Sequence, residues 1–369
     1  MKKEKKIIII LSHEPTNLLF NEDLNLDEMR KKWDFEYSDI IEKIRRVFFF
    51  REDFHHIIGK LIKNKYHDIK VECWRPYSNK IKNIYEKDID GIKHRLFPYK
   101  KLKLPKLLTL MWSKEMLQNI IEERKKADIT LLILDSHSIF ILWLLNKLRD
   151  SEIPIMYYCC GGYPACFNNY LKLNSLKKII EHYELKSLDA IDYYFSVSVP
   201  EIEYLKKDLK FKNAEALMMG FSFKDIKKID KIEARKYLGL PLNKKIILYG
   251  GRFNSPKGVD KIINSYLEIK SERDDISLVL VGGYKNDELY NMAVDSGAYV
   301  FERVQIDKLK YFYCAADVYV ISNLDENYIK FAGFGVVPAQ AIAYGIPIIS
   351  NNIINFTGTE EERNKIGIE

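Results

Sequence analysis

Cysteine is scarce in this chain and none of it is spaced as a metal or redox motif. The five are Cys73, Cys159, Cys160, Cys166 and Cys314. An odd number without a C-x-x-C pair argues against a disulfide framework and against a zinc site. It points instead to a reducing compartment, so a cytoplasmic location is expected. Long apolar runs are also missing. The start, MKKEKKIIIILSHEP, resembles the charged opening of a signal peptide, but Ile7–Leu11 is too short for its apolar core. The most apolar window, Ile129–Leu148, is interrupted by Asp135-Ser136-His137-Ser138, which excludes a membrane span. There is no DNA- or RNA-binding motif and no solenoid-length repeat. The formal net charge of +7 therefore reads as lysine in a Lys/Ile/Asn/Tyr-rich chain. It allows a weak preference for anionic substrates or membrane surfaces, and no nucleic acid is expected as a partner.

What is present is alternation. Apolar strand candidates at Ile7–Leu11, Ile69–Trp74, Ile129–Leu134, Pro154–Tyr158, Tyr193–Val197 and Ala214–Met219 are separated by helical patterns. These include Tyr37–Phe49, Leu108–Lys126, Ile139–Leu148, Leu173–Leu188 and Glu201–Leu209. Continuous apolar strands between helices imply a parallel sheet covered on both faces. Phe221–Asn243 is Lys-rich and ends in Gly239-Leu240-Pro241, which reads as a linker. Beyond it the alternation restarts. Strands are expected at Ile246–Tyr249, Ser277–Val281, Ala298–Phe301, Val318–Ile321 and Pro347–Ser350. Helices are expected near Gly258–Lys270, Asp287–Ser296, Asp307–Ala315 and Val336–Ala343. The expected architecture is thus α/β: an N-terminal Rossmann-like domain over 1–222, a linker over 223–243 and a second Rossmann-like domain over 244–369. The two would face a cleft, with ligands at the carboxyl ends of the strands. Thr359 and Glu362 look like a capping box for a helix that the sequence barely begins, so the C-terminal end reads as truncated.

The stretch richest in chemistry is IILYGGRFNSPKG, Ile246–Gly258. An apolar strand meets Gly250-Gly251, then Arg252. Lys257-Gly258 opens a helix whose apolar residues Val259, Ile262, Ile263 and Tyr266 recur at helical spacing. Glycines admit a ligand to the backbone, a helix start offers unpaired N–H groups, and two cations reach for one anion. The arrangement suits a diphosphate, and an ordinary strand–helix turn with solvated cations is the plain alternative.

Three further motifs follow in order: SLVLVGG (277–283), FYCAADVYVIS (312–322) and GFGVVPAQAIAYGIPIIS (333–350). Together with GGRFNSPKG they resemble the family 4 glycosyltransferases, nucleotide-sugar-dependent enzymes of the GT-B fold. The resemblance covers roughly 110 residues well and the first domain only by architecture. It implies that Arg252 and Lys257 hold the donor diphosphate, with Gly250 and Gly251 at the turn, and neutralise charge on the leaving nucleotide. It implies too that the backbone of Gly333, Phe334, Gly335 and Val336 cradles the distal phosphate. The reaction would be sugar transfer to a glycan or lipid-linked acceptor, retaining in stereochemistry. No metal and no cofactor are expected, since the cations are Arg252 and Lys257 and no D-x-D flanked by strands stands out.

The family's paired glutamates align with Ala332 and Gln340. Gln340 would grip the donor ribose through its carbonyl; Glu326, just upstream, is either a substitute acid or a solvated loop residue. In the first domain the strand Pro154–Tyr158 runs into Cys159-Cys160-Gly161-Gly162, where relatives carry a histidine or an acid. Cys160 lacks an adjacent base and reads as a buried thiol. His13, beside Glu14, and His137 follow first-domain strands and are candidates for contacts to acceptor or sugar. His55-His56 read as surface residues of a helix. Lys93–Lys106 (KHRLFPYKKLKLPK) is either a solvated basic loop or a contact for the inner face of an anionic membrane. The loss of both glutamates leaves an alternative: a degenerate GT-B protein that binds a nucleotide sugar or a partner without turnover.

Overall fold

The apolar strand expected at the start of the chain forms at β1 (Glu4–Leu11). Ile8, Ile9 and Ile10 are each fully buried, although successive side chains point to opposite faces. Both faces are therefore covered, which is why the strand is apolar throughout and not alternating. This computed structural model describes residues 3–11, 54–78, 83–104, 108–135, 138–161, 182–217, 226, 228–253, 257–283, 285, 287–302, 304, 308–322 and 336–350. They fall into two compact units, one ending at Leu217 and one lying beyond it.

In the first unit β1 is followed by α1 (Phe54–Lys65), β2 (Lys70–Ser78), β3 (Tyr85–Ile89), β4 (Ile92–Pro98), β5 (Lys100–Leu104) and β6 (Leu108–Trp112). Then come α2 (Lys114–Lys126), β7 (Ala127–Asp135), α3 (Ile139–Leu148), β8 (Ile155–Cys159), β9 (Tyr193–Ser196), α4 (Val199–Lys207) and β10 (Ala214–Ala216). Eight strands form one sheet in the order β10-β9-β8-β7-β1-β2-β4-β3. Only the β3–β4 pairing is antiparallel. β1 is the switch point, because β2 pairs on one side of it and β7 on the other. α3 is apolar almost all round: Phe140, Ile141, Leu142, Leu144, Leu145 and Leu148 are buried. A helix buried so completely belongs to the core.

The expected helix over Leu108–Lys126 is divided. Leu108–Trp112 instead pairs antiparallel with Lys100–Leu104 as a hairpin. Ser113 starts α2 by accepting the Met116 N–H with its side chain, a local signal stronger than the apolar periodicity across the whole stretch. The hairpin β3–β4 was not foreseen. Asp88-Ile89-Asp90, a D-x-D contrary to the sequence expectation, ends β3 and enters the Asp90-Gly91 turn. Asp88 accepts the Gly91 N–H and so closes the turn.

The second unit opens with α5 (Lys231–Leu238), inside the segment read as a linker. Ala234 of α5 lies in this unit's core, and Asp230 caps the helix. Next come β11 (Lys245–Gly250), α6 (Val259–Glu272), β12 (Ile276–Gly283), α7 (Glu288–Asp295) and β13 (Tyr299–Glu302). The order continues with α8 (Leu309–Ala315), β14 (Val318–Ile321), α9 (Val336–Ala343) and β15 (Ile348–Ser350). The sheet order is β13-β12-β11-β14-β15, and every pairing is parallel. Here β11 is the switch point. In such a sheet the chain diverges above the carboxyl end of that strand, where ligands bind. That end is Gly250.

Candidate functional site in the second unit

The glycine turn is held from below by a tyrosine. The Tyr319 hydroxyl donates to the Gly250 carbonyl at 2.7 Å and accepts from the Gly250 N–H at 3.2 Å. Burial, and then the neighbouring Tyr313, push the Tyr319 hydroxyl far above the ordinary tyrosine range. It keeps its proton and remains a donor. The Gly251 N–H continues onto β12 through the Val281 carbonyl at 2.9 Å. The Tyr249 hydroxyl donates to the Arg252 carbonyl at 3.0 Å. Each backbone group leaving β11 is thus tied down, and Arg252 projects from this turn with its side chain exposed.

The Gly282-Gly283 pair that ends β12 exists to let this turn approach. A Cβ on Gly282 would lie 2.3 Å from the Gly251 carbonyl oxygen, and its φ of +114° suits glycine alone. A Cβ on Gly283 would lie 2.7 Å from the Phe253 ring. Two motifs read separately in the sequence are therefore one packed unit.

Lys257 stands just before α6, half-buried. Gly258 is the N-cap in the left-handed conformation, and no side chain caps the helix there. The first turn of α6 consequently offers N–H groups and the positive end of the helix dipole. Gly250, Gly251, Arg252 and Lys257 thus bracket one strand–helix turn.

Gln340 joins the same region through two buried rings. Its Oε1 accepts from the Tyr313 hydroxyl at 2.9 Å. Tyr313 lies against Tyr319 with ring centroids 6.4 Å apart, and Tyr319 holds Gly250. That bond takes up one of the two lone pairs of the Gln340 carbonyl, so the other and the amide NH₂ are left for the expected ribose contact. Sequence reasoning missed Tyr313 and Tyr319. Both lie in FYCAADVYVIS, where they looked like ordinary apolar filling.

Asp317, in the middle of that motif, serves the opposite end of the strands. It accepts from Arg235 Nη2 and from the Ile246 N–H, each at 2.7 Å, and pairs with Lys231 at 2.9 Å. Burial alone would raise its carboxyl; the Ile246 N–H and the two cations outweigh that and hold it below the usual carboxylate range. Arg235 also donates to the carbonyls of Ala315, Leu242 and Lys244. This is a structural staple.

Of the other expected site residues, His13, His137, Glu326, Gly333, Phe334 and Gly335 lie outside the described residues, and Val336 is described only as the first residue of α9. Near His137, Asp135 is buried and accepts from the Ser138 N–H at 2.8 Å and the Tyr157 hydroxyl at 3.1 Å. Cys160 is half-buried and not fully buried as expected; burial, with Cys159 and Asp135 adding to it, still pushes its thiol well above the usual range, so it stays protonated. Two expectations fail. His55 and His56 are not surface residues; both are buried, because α1 lays its first turn against β2 and β4. The described part of Lys93–Lys106, up to Leu104, is not a loop. It forms β4 and β5, with His94, Leu96, Phe97 and Tyr99 buried. Arg95 is pinned over the Trp74 ring at 4.6 Å and paired with Glu86 at 2.6 Å. Lys100, Lys101 and Leu102 remain exposed.

Residues 230–367, which include the whole candidate site, match the family described as "Glycosyl transferases group 1". A Methanocaldococcus jannaschii protein described as an uncharacterized glycosyltransferase, MJ1607, is 31% identical over 129 residues, 34% of this chain and 31% of that protein. The lipopolysaccharide core biosynthesis mannosyltransferase LpsB of Rhizobium meliloti is 28% identical over 148 residues, 36% of this chain and 40% of that protein. The match thus spans less than half the length of either relative. Among solved structures, "Trehalose-6-phosphate from E. coli bound with UDP-2-fluoro glucose" superposes with a TM-score of 0.60 at 10% identity, covering 93% of this chain and 83% of that one. Identity that low speaks to fold alone. The chain accordingly has the α/β fold of the GT-B glycosyltransferases, and a segment of its second unit matches the group 1 glycosyltransferases.

Proposed function

We propose that this chain is a family 4-type glycosyltransferase, moving a sugar from a nucleoside diphosphate sugar to a glycan or lipid-linked acceptor. The observation that carries the reading is the glycine turn at the switch strand β11. It is clamped by Tyr319 and flanked by Arg252 and Lys257, within the segment that matches group 1 glycosyltransferases. LpsB, by its name a mannosyltransferase of lipopolysaccharide core, supports a surface glycan or its lipid-linked precursor as acceptor.

In this reading the donor diphosphate lies over Gly250 and Gly251, at the open end of α6. Charge accumulates on the diphosphate as the sugar–oxygen bond breaks, so cations already in place favour the transition state over the ground state. Arg252 supplies a forked donor and Lys257 a point charge. With two fixed cations and a helix start, the leaving group is stabilised without a metal. Retention of configuration is carried over from the resemblance. Gln340, oriented by Tyr313, donates its amide to the ribose where the family has a glutamate, and Gly333–Val336 cradles the distal phosphate. Glu326 is a substitute acid for the ribose, and His13 and His137 are candidates for contacts to acceptor or sugar. Peripheral contact with the inner membrane face falls to Lys100, Lys101 and Leu102.

The test is a panel of nucleotide sugars scored for hydrolysis and transfer, beside calorimetry with the matching nucleoside diphosphates. Turnover with one donor is expected. Tight nucleotide binding with no turnover across the panel marks the degenerate reading, and no binding at all rejects both.

A further inference from the structure

We infer that His55, Cys73 and His94 form a binding site for a divalent metal ion of the zinc class in the first unit, separate from the proposed donor site. Three elements bring one ligand each: the first turn of α1, β2 and β4. Cys73 and His94 are register partners on adjacent parallel strands, so their side chains leave the same face of the sheet, and α1 covers them. All three residues are 1% exposed. One potential ligand atom from each lies within 4.8 Å of the other two. With Zn–N near 2.0–2.1 Å and Zn–S near 2.3 Å, tetrahedral ligand atoms stand about 3.5 Å apart. The set, all within 4.8 Å, needs to close by at most about 1.3 Å to reach that spacing.

The surrounding groups fit the role. His56 Nδ1 lies 2.9 Å from His94 Nε2, and His56 Nε2 lies 3.4 Å from Asp90 Oδ2. With neutral rings, the Asp90 carboxylate places the His56 proton on Nε2. His56 Nδ1 then accepts from His94 Nε2–H, and the His94 lone pair is left on Nδ1. Carboxylates behind metal-bound histidines fix the tautomer in this way; here the connection runs through one more imidazole. The Cys73 thiol, now 3.6 Å from the His55 carbonyl, gives up its proton to solvent as the S–metal bond forms. The thiolate and the Asp90 carboxylate together match the charge of a divalent ion. Cys73-x-x-Cys spacing is absent from the sequence, so only the fold assembles this ligand set.

The experiment uses the full-length chain. Metal-free protein is titrated with cobalt(II), following the thiolate-to-cobalt charge-transfer band, and zinc is then added in competition. One equivalent of cobalt, a thiolate band, and its displacement by zinc are expected. The band should vanish in Cys73→Ser and persist in Cys314→Ser. Cadmium NMR on the unaltered protein reads the ligand set without any substitution, and a shift for mixed sulfur and nitrogen ligation is expected. Absence of a cobalt band in folded wild-type protein, its survival in folded Cys73→Ser, or a cadmium shift typical of oxygen-only ligation would each overturn the inference.

Discussion

The Tyr319 hydroxyl meets both backbone groups of Gly250, donating to its carbonyl at 2.7 Å and accepting from its N–H at 3.2 Å. One buried side chain thus ends the switch strand of the second unit and sets the height of the glycine turn. Tyr319→Phe keeps the ring and removes both bonds. A loss of about 1–3 kcal/mol in folding stability is expected from leaving buried backbone groups unpartnered. Nucleoside diphosphate affinity should fall as well, because the turn loosens. Denaturant unfolding and calorimetry, run side by side, check this; full retention of both would show that the turn does not depend on Tyr319.

Gly282→Ala tests the packing of one motif on the other. Its Cβ would stand 2.3 Å from a backbone oxygen of Gly251, and backbone cannot swing away as a flexible side chain can. Destabilisation of about 2–4 kcal/mol is expected from strain at that φ together with the forced shift. Gly239→Ala, also at positive φ but with open space around it, should cost only about 1 kcal/mol. Thermal unfolding of both variants separates clash from conformational strain.

Arg252→Ala and Lys257→Ala should each weaken nucleoside diphosphate binding by about 1.5–3 kcal/mol, the range for a hydrogen bond to a charged group. Folding should barely change for Arg252→Ala, since that side chain is exposed. Isothermal calorimetry decides, and unchanged affinity in both variants would remove the phosphate reading.

Gln340→Glu restores the carboxylate that the resemblance leads one to expect. The Tyr313 hydroxyl can donate to a carboxylate as well as to an amide, so the variant should fold. A carboxylate accepts more strongly from ribose hydroxyls than an amide does. Tighter binding of a ribonucleoside diphosphate, by several-fold over its 2′-deoxy counterpart, is the expected outcome. Equal binding of the two sugars would show that Gln340 does not face the ribose.

Asp317 supplies the pH dependence. Its folded pKa is depressed, so the unfolded chain binds the proton more readily. The stability it contributes is complete above the ordinary carboxylate pKa near 4 and disappears as pH falls through the lower folded value. Asp317→Asn should lose about 1–3 kcal/mol near neutral pH by leaving Arg235 half-satisfied, and its acid limb should be flatter. Urea midpoints from pH 3 to 7 measure both effects; parallel curves for the two proteins would contradict the linkage.

The parallel strands buried on both faces, and the described helices between them, were legible from residue types, because such strands must be apolar throughout and such helices apolar on one stripe; the antiparallel hairpins were not. The glycine turn with Arg252 and Lys257 was legible for a related reason: a short linear motif carries its own geometry. The failures have a common cause. Leu108–Trp112 read as helix because its antiparallel partner, Lys100–Leu104, looked like a basic loop. His55 and His56 read as surface because their neighbours on β2 and β4 lie from 17 to 39 residues away in the chain. By itself, then, the sequence determined what local chemistry dictates: two alternating α/β units and a glycine turn at Gly250 flanked by Arg252 and Lys257. Tertiary structure alone decided how Tyr313 and Tyr319 join Gln340 to Gly250, why Gly282 must be glycine, and that His55, Cys73 and His94 meet. Each of those contacts is set by strand register and helix packing, which bring distant residues within a few ångströms and leave no trace in spacing along the chain.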